Sequence, residues 1–451
     1  MKCGFYETEI TPPLGTTMFG YFTKRVNEGI KQKLYAKAAV FEKDDTCAAF
    51  LVIDSTSMPT GLPEAVRKRV HARTGIAEDA ILIAVTHSHT SIPCRKIKPG
   101  YQEMHILKDE PELDPELDAK TMEMITLLAA DTVIMAYKKM EEATLRFGIG
   151  DVEGMSFVRE YYIEDGTIRT NPGYCKDKIV KPYSKPETVL PVLYAESADG
   201  RPMGIITSFA LHHDTVSGSE ISSDYSGVTA RMMKEKYGLD FVTVFYQGFC
   251  GNINHINYIG EPFKHTAEEI GTRIAEEMFT VIPKAEPLKN DDLAVVTETI
   301  MIKKRELPEG FMESVKELQK NPPTSGPMTI ADPYSDRMKY AASADLIAVY
   351  DTDKRTEYEI PVQVIKIGDC LVYAFIGEVF SQFADRIRAA SPTDKNIMVE
   401  LAHVDEPSAY IPIPELYLPY VYEASIYSDP FVPEAGTQMV DKALELAKKI
   451  Y

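Results

Sequence analysis

The chain has 451 residues, 44% hydrophobic and 26% charged, with 49 Lys+Arg against 68 Asp+Glu and a formal net charge of −19. That length supports a large core, and so acidic a surface repels nucleic acid and anionic membranes, which excludes both as expected partners. No apolar run approaches the ~20 residues of a membrane span, and the opening MKCGFYETEITPP lacks the apolar heart of an export signal, so a cytoplasmic protein without stable membrane association is expected.

In chain order, strand-like and helix-like segments alternate, the pattern of an α/β (α+β layered) fold with mixed sheets flanked by helices. Residues 36–41 and 47–53 read as strands around a polar turn at 42–46. Residues 62–73 read as a helix stopped at Gly75. The apolar run 80–85 reads as a buried strand, and 115–139 has the spacing and composition of a long helix. Residues 144–150 and the Asp165-Gly166 turn predict further strands and a hairpin. Runs 203–210, 241–246 and 370–375 read as buried strands, with others near 293–302 and 358–367. Residues 308–350, polar and Pro-containing at first, read as an insertion or lid; 381–389 and 434–449 read as helices. One domain over 1–451 is expected. The six cysteines include no CxxC pair and read as free thiols.

Four of the apolar runs lead straight into polar blocks: THSHT after residue 85, LHHDT after 210, QGFCGNINH after 246 and IGEVF after 375. Loops beyond the carboxyl ends of strands converge on one crevice in open α/β sheets, so these blocks mark a candidate site. On extended backbone, His87 and His89 face the same side and suit a zinc ion, although a surface turn would tolerate both. His212 and His213 point opposite ways, so one of them is expected to reach the same pocket. Glu378 follows an apolar stretch, where a carboxylate is costly unless paired or metal-bound; the other reading is a first-turn acid for the next helix. Five of the nine histidines (His87, His89, His212, His213 and His255) fall in these blocks. His71, His105, His265 and His403 are assigned to the surface or to helix faces. Cys250 with His255 is a possible metal-free nucleophile pair, set against a buried structural thiol.

Together the blocks resemble the neutral/alkaline ceramidase superfamily. EITPP (9–13) with MFGY (18–21) is similar to its opening motif, THSHT (86–90) to its THTHS, and FALH (209–212) with SSD (222–224) to its FAxH…SSD. GEVF (377–380) resembles its GExF, and Tyr410, PELY (414–417) and YEAS (422–425) follow its tyrosine block. The resemblance implies Zn2+ held by His87, His212, Glu378 and Tyr410. It also implies that His89, Arg159 and Tyr422 contact the reacting carboxyl group, with a backbone contact at Gly20. Asn254 stands where true ceramidases carry a serine, so an acyl-enzyme at that position is excluded and water is the expected nucleophile. Asn254 is then read as orienting the water or the substrate amide. No counterpart is expected to the immunoglobulin-like domain of secreted members.

The implied function is a zinc-dependent hydrolase acting on an amide-type C–N bond, or a related acyl bond, of a small molecule. Two other readings are a zinc-retaining binding protein without turnover and a metal-free Cys250/His255 hydrolase. The pocket walls fall in loops 95–111, 171–191 and 258–265.

Overall fold

The computed structural model describes the whole chain except residues 22–23, 95–110, 174–177, 262, 325, 327–329 and 404–408. The larger sheet contains β1 (Lys2–Glu9), β2 (Tyr35–Lys43), β3 (Thr46–Ile53), β4 (Ile81–Val85), β5 (Glu141–Asp151), β6 (Val189–Ser197), β7 (Pro202–Phe209) and β8 (Val242–Gln247). Their spatial order is β8-β7-β6-β5-β1-β2-β3-β4, with Glu286–Pro287 also paired to β5. The two outermost pairs, β3–β4 and β7–β8, are parallel. Parallel neighbours need a crossover, and helices α1 (Leu62–Thr74) and α3 (Asp224–Tyr237) supply the two; α2 (Pro115–Lys138) and α4 (Ala267–Val281) complete that half. Thr266 and Glu269 form a reciprocal capping box that starts α4.

The second sheet runs β9 (Leu293–Lys303), β10 (Glu357–Ile367), β11 (Cys370–Ala374) and β12 (Asn396–Val399) in that spatial order. Its β11–β12 pair is also parallel and is crossed by α5 (Gln382–Ala390). The sheets pack face to face: Phe5, Phe41, Phe50, Ile206 and Val244 share one buried cluster with Ile365, Val372, Ile397 and Val399. Helices cover the outer faces. Val66, Val70, Ile125 and Val133 of α1 and α2 pack on Val40, Leu51 and Ile83. Ile270, Ile274 and Met278 of α4 pack on Val192, Ile205 and Phe245. Phe383 and Ile387 of α5, with Val440 and Leu444 of α6 (Ala435–Ile450), pack on Val362 and Leu371. The result is a helix–sheet–sheet–helix sandwich, the layered mixed-sheet class that the sequence pattern predicts. Each fully buried large apolar side chain contributes about 1.5–3 kcal/mol, so this double-sided burial dominates the stability.

The burial explains why some strands are legible and others are not. All five residues of β4, ILIAV, are buried, because both faces are covered. The pattern did not mark β1, whose KCGFYETE carries charges and a glycine, yet it pairs with β2 over its full length. Gly4 lets α2 approach: a Cβ there would lie 2.1 Å from the Ala136 carbonyl oxygen. Between β9 and β10 lie helices Phe311–Lys320 and Asp336–Ala341 and a π-helical turn, Ile347–Thr352. Val315, Ala342 and Leu346 of this segment bury against Ile426.

Among the described residues, no helix is long and apolar enough to cross a membrane. Cys3, Cys47, Cys94, Cys250 and Cys370 are free thiols, while Cys175 and His105 lie outside the described residues. His403, expected at the surface or on a helix face, is on no helix and is buried. The reason is that the chain after β12 turns back across β4: the His403 amide donates to the Ile83 carbonyl at 2.8 Å, and Arg67 Nη2 lies 3.2 Å from the ring Nδ1.

Candidate metal centre

The parallel strands carry their terminal loops to one place. Beyond β4, His87 takes the left-handed backbone conformation (φ 66°), and its Nδ1 lies 2.6 Å from the Thr56 carbonyl oxygen. Beyond β7, His212 Nδ1 lies 3.1 Å from the Cys250 carbonyl oxygen. A carbonyl only accepts, so both Nδ1 atoms carry the proton and both Nε2 atoms turn a lone pair inward. His87 Nε2 is 3.3 Å, and His212 Nε2 3.0 Å, from the same oxygen, Glu378 Oε2. His89 Nε2 lies 3.3 Å from His87 Nε2. Candidate ligand atoms of His87, His89 and His212 all fall within 4.8 Å of one another.

The charges of this cluster are strongly coupled. Burial works against the His87 cation, but Glu378 outweighs it and raises the pKa of His87. Burial would likewise raise Glu378, yet the His87 and His212 rings hold its carboxyl well below the usual carboxylate range. Burial pushes His212 down to about 4 and, with the two neighbouring rings, pushes His89 well below the ordinary value. Glu378 Oε2 is buried and receives no N–H with hydrogen-bond geometry. Convergent imidazole lone pairs and an orphaned carboxylate oxygen, with each Nδ1–H committed to a backbone carbonyl, fit a divalent cation such as zinc.

Glu378–Val379 and Tyr410–Ile411 form a short parallel ladder in which Glu378 and Tyr410 are register partners. Two glycines permit the convergence. A Cβ on Gly377 (φ 69°) would lie 2.4 Å from the Ala409 oxygen, and one on Gly251 would lie 2.3 Å from the Glu378 oxygen. The Tyr410 ring stacks parallel to His212, and burial, reinforced by Glu378, pushes its phenol well above the ordinary value. Arg159 Nη1 donates to Tyr410 Oη at 3.2 Å and to the Gly251 oxygen at 3.3 Å, and lies 3.4 Å from His212 Nε2. Its Nε is 3.1 Å from Glu423 Oε1, and Glu423 Oε2 accepts from the Thr170 hydroxyl at 2.5 Å. The Tyr422 ring meets Tyr410 edge-on at 5.8 Å. Gly20 has φ 110°, and a Cβ there would lie 2.9 Å from the His89 ring.

The description "neutral/alkaline non-lysosomal ceramidase, N-terminal" matches residues 2–261, more than half of the chain. The chain belongs to this ceramidase family. Membership implies a hydrolase. The likeness of fold extends over the full length: the neutral ceramidase from Pseudomonas aeruginosa is 19% identical with a TM-score of 0.71, the match covering 100% of this chain and 75% of that one. A ceramidase complexed with C2 is 17% identical with a TM-score of 0.70, again covering 100% and 75%. Comparison with curated proteins gives no match.

In this ceramidase-family chain, His87, His89, His212, Glu378, Tyr410, Arg159, Tyr422 and Gly20 share one neighbourhood. Asn254 has both amide atoms bonded: its Nδ2 donates to Asn171 Oδ1 at 2.7 Å, and its Oδ1 accepts from the Ile256 amide at 3.0 Å. Cys250 Sγ sits 3.2 Å from Glu400 Oε1 and 3.4 Å from His212 Nδ1. Burial pushes that thiol well above the ordinary value, the opposite of an activated nucleophile. Of the predicted wall loops, 95–110, 174–177 and 262 lie outside the described residues. Sequence reasoning missed Thr56, Glu400 and Glu423. Glu400 carried a usable signal, a lone acid in the apolar run IMVELA, the same signal that marks Glu378. Thr56 carried none, because it acts on His87 through its backbone oxygen.

Proposed function

We propose that this chain is a zinc-dependent hydrolase that cleaves an amide-type C–N bond, or a related acyl bond, of a small molecule. His87, His212, Glu378 and Tyr410 hold Zn2+ in this reading. One observation carries it: two imidazoles, each with Nδ1 tied to a backbone carbonyl, direct Nε2 to within 3.3 Å of one orphaned Glu378 oxygen. Bound zinc supplies Lewis acidity toward an acyl carbonyl and toward water.

The chain's own groups do the rest. His89, Arg159 and Tyr422 offer N–H and O–H donors to the oxyanion that develops as the acyl carbon becomes tetrahedral; losing one such donor typically costs about 10²–10³ in rate. Arg159 is suited to this because Glu423 balances its charge from behind. Tyr410 ionises only beside a cation, since its surroundings raise its pKa. Asn254 has no nucleophilic oxygen, so the attack falls to water. An N-acyl amide is favoured as substrate by the family and by the neighbour complexed with C2.

The test is metal analysis of the purified protein with a panel of N-acyl amides, esters and lactams assayed before and after chelation. The expected result is about one zinc per chain and hydrolysis that chelator abolishes and zinc restores. Tight product binding without turnover would return the binding-protein reading. Hydrolysis indifferent to chelator would return the metal-free one.

A further inference from the structure

Glu400 lies directly after β12 and is fully buried between the two sheets' terminal loops. Its Oε2 accepts from the Val379 amide at 2.7 Å and from the Cys250 amide at 3.1 Å, while Oε1 lies 3.2 Å from Cys250 Sγ. Its own amide donates to the Gln247 carbonyl at 3.0 Å. These partners are not arbitrary. Val379 adjoins Glu378, and the Cys250 carbonyl is the oxygen that accepts from His212 Nδ1. The same two segments meet again where the Gly251 amide donates to the Val379 carbonyl at 2.9 Å.

We infer that Glu400 is a positioning residue for the metal centre, clamping the Glu378 segment to the turn that orients His212. The inference rests on the metal-holding role proposed above. A carboxyl group suits the position for a geometric reason. Three donors from two chain segments converge on it inside an apolar interior, and one oxygen must reach two amides at once. An apolar residue would leave both amides buried without an acceptor, and the segments would separate to find water. A shorter acid would reach one segment and not the other. Groups that orient metal ligands from behind typically change metal affinity about 10–100-fold when removed.

The experiment measures zinc affinity by competition with a chromophoric chelator, together with the melting temperature of the zinc-free protein. Glu400→Gln keeps an oxygen for the two amides and is expected to bind zinc within about threefold of the parent chain. Glu400→Asp and Glu400→Leu are expected to bind about 10–100-fold more weakly. Val440→Ala, a core truncation in α6, lowers the melting temperature without changing zinc affinity, so general destabilisation is separated from misplacement of ligands. Should Glu400→Leu fail to fold, Glu400→Asp carries the comparison. Parent-like affinity in Glu400→Asp, or in a folded Glu400→Leu, overturns the inference. A parent chain that takes up no zinc instead overturns the metal reading itself.

Discussion

Glu378 and Tyr410 are direct register partners in a two-residue parallel ladder, so carboxylate and phenol rise from the same face although 31 positions separate them in sequence. Replacing Tyr410 by Phe leaves the ladder intact and removes only the oxygen. Zinc affinity is expected to fall at least about tenfold, with little change in the melting temperature of the zinc-free protein. Gly377→Ala acts the other way: its strained φ and the Ala409 contact cost about 1–3 kcal/mol of stability. Chelator competition and thermal melts read both, and unchanged affinity in Tyr410→Phe removes the phenol from the ligand set.

Arg159 and Glu423 form an ion pair that is almost wholly out of water, with side-chain exposures of 7% and 0%. Removing one partner of such a pair strands a buried charge, at a cost of about 3–5 kcal/mol. Glu423→Ala is therefore expected to lower unfolding free energy by roughly that amount. In a double-mutant cycle with Arg159→Met, the coupling should exceed about 1 kcal/mol. Additive single changes in urea titrations would show that the two do not act as a unit.

Cys250 is expected to resist alkylation in the native protein at pH 8 and to react once denatured, because its thiol is buried with its pKa raised. Peptide-level mass spectrometry separates it from the half-buried Cys47. Cys250→Ala should retain hydrolysis. Fast native labelling at Cys250 that stops turnover would revive a thiol mechanism.

Asp429 gives a pH signature outside the metal centre. Burial raises its carboxyl to about 7 from 3.8, against the Tyr417 hydroxyl and the Phe431 amide that donate to it. Between about pH 4 and 7 the native carboxyl keeps a proton that the unfolded chain has released. Stability from this group therefore falls as pH rises through that window and levels off above it, by up to roughly 4 kcal/mol. Asp429→Asn should flatten that part of the stability–pH curve. A slope identical to the parent's would show that the aspartate does not titrate there.

The sequence by itself determined where the candidate ligands gather. Strands covered on both faces, such as Ile81–Val85 and Cys370–Ala374, must be apolar throughout, so the switch to THSHT or IGEVF at their ends is visible without coordinates. The same logic exposed β4, β7, β8 and β11 and hid β1, whose charges and glycine are accommodated by neighbours on both sides. Only the tertiary structure decided which groups touch. The Glu378–Tyr410 register, the engagement of Asn254 with Asn171, the pairing of Cys250 with His212 and Glu400, and the burial of His403 all join segments far apart in the chain. Spacing along a strand fixes which way a side chain points, whereas its partner is fixed by sheet register and by how closely glycines such as Gly251 and Gly377 let two backbones approach.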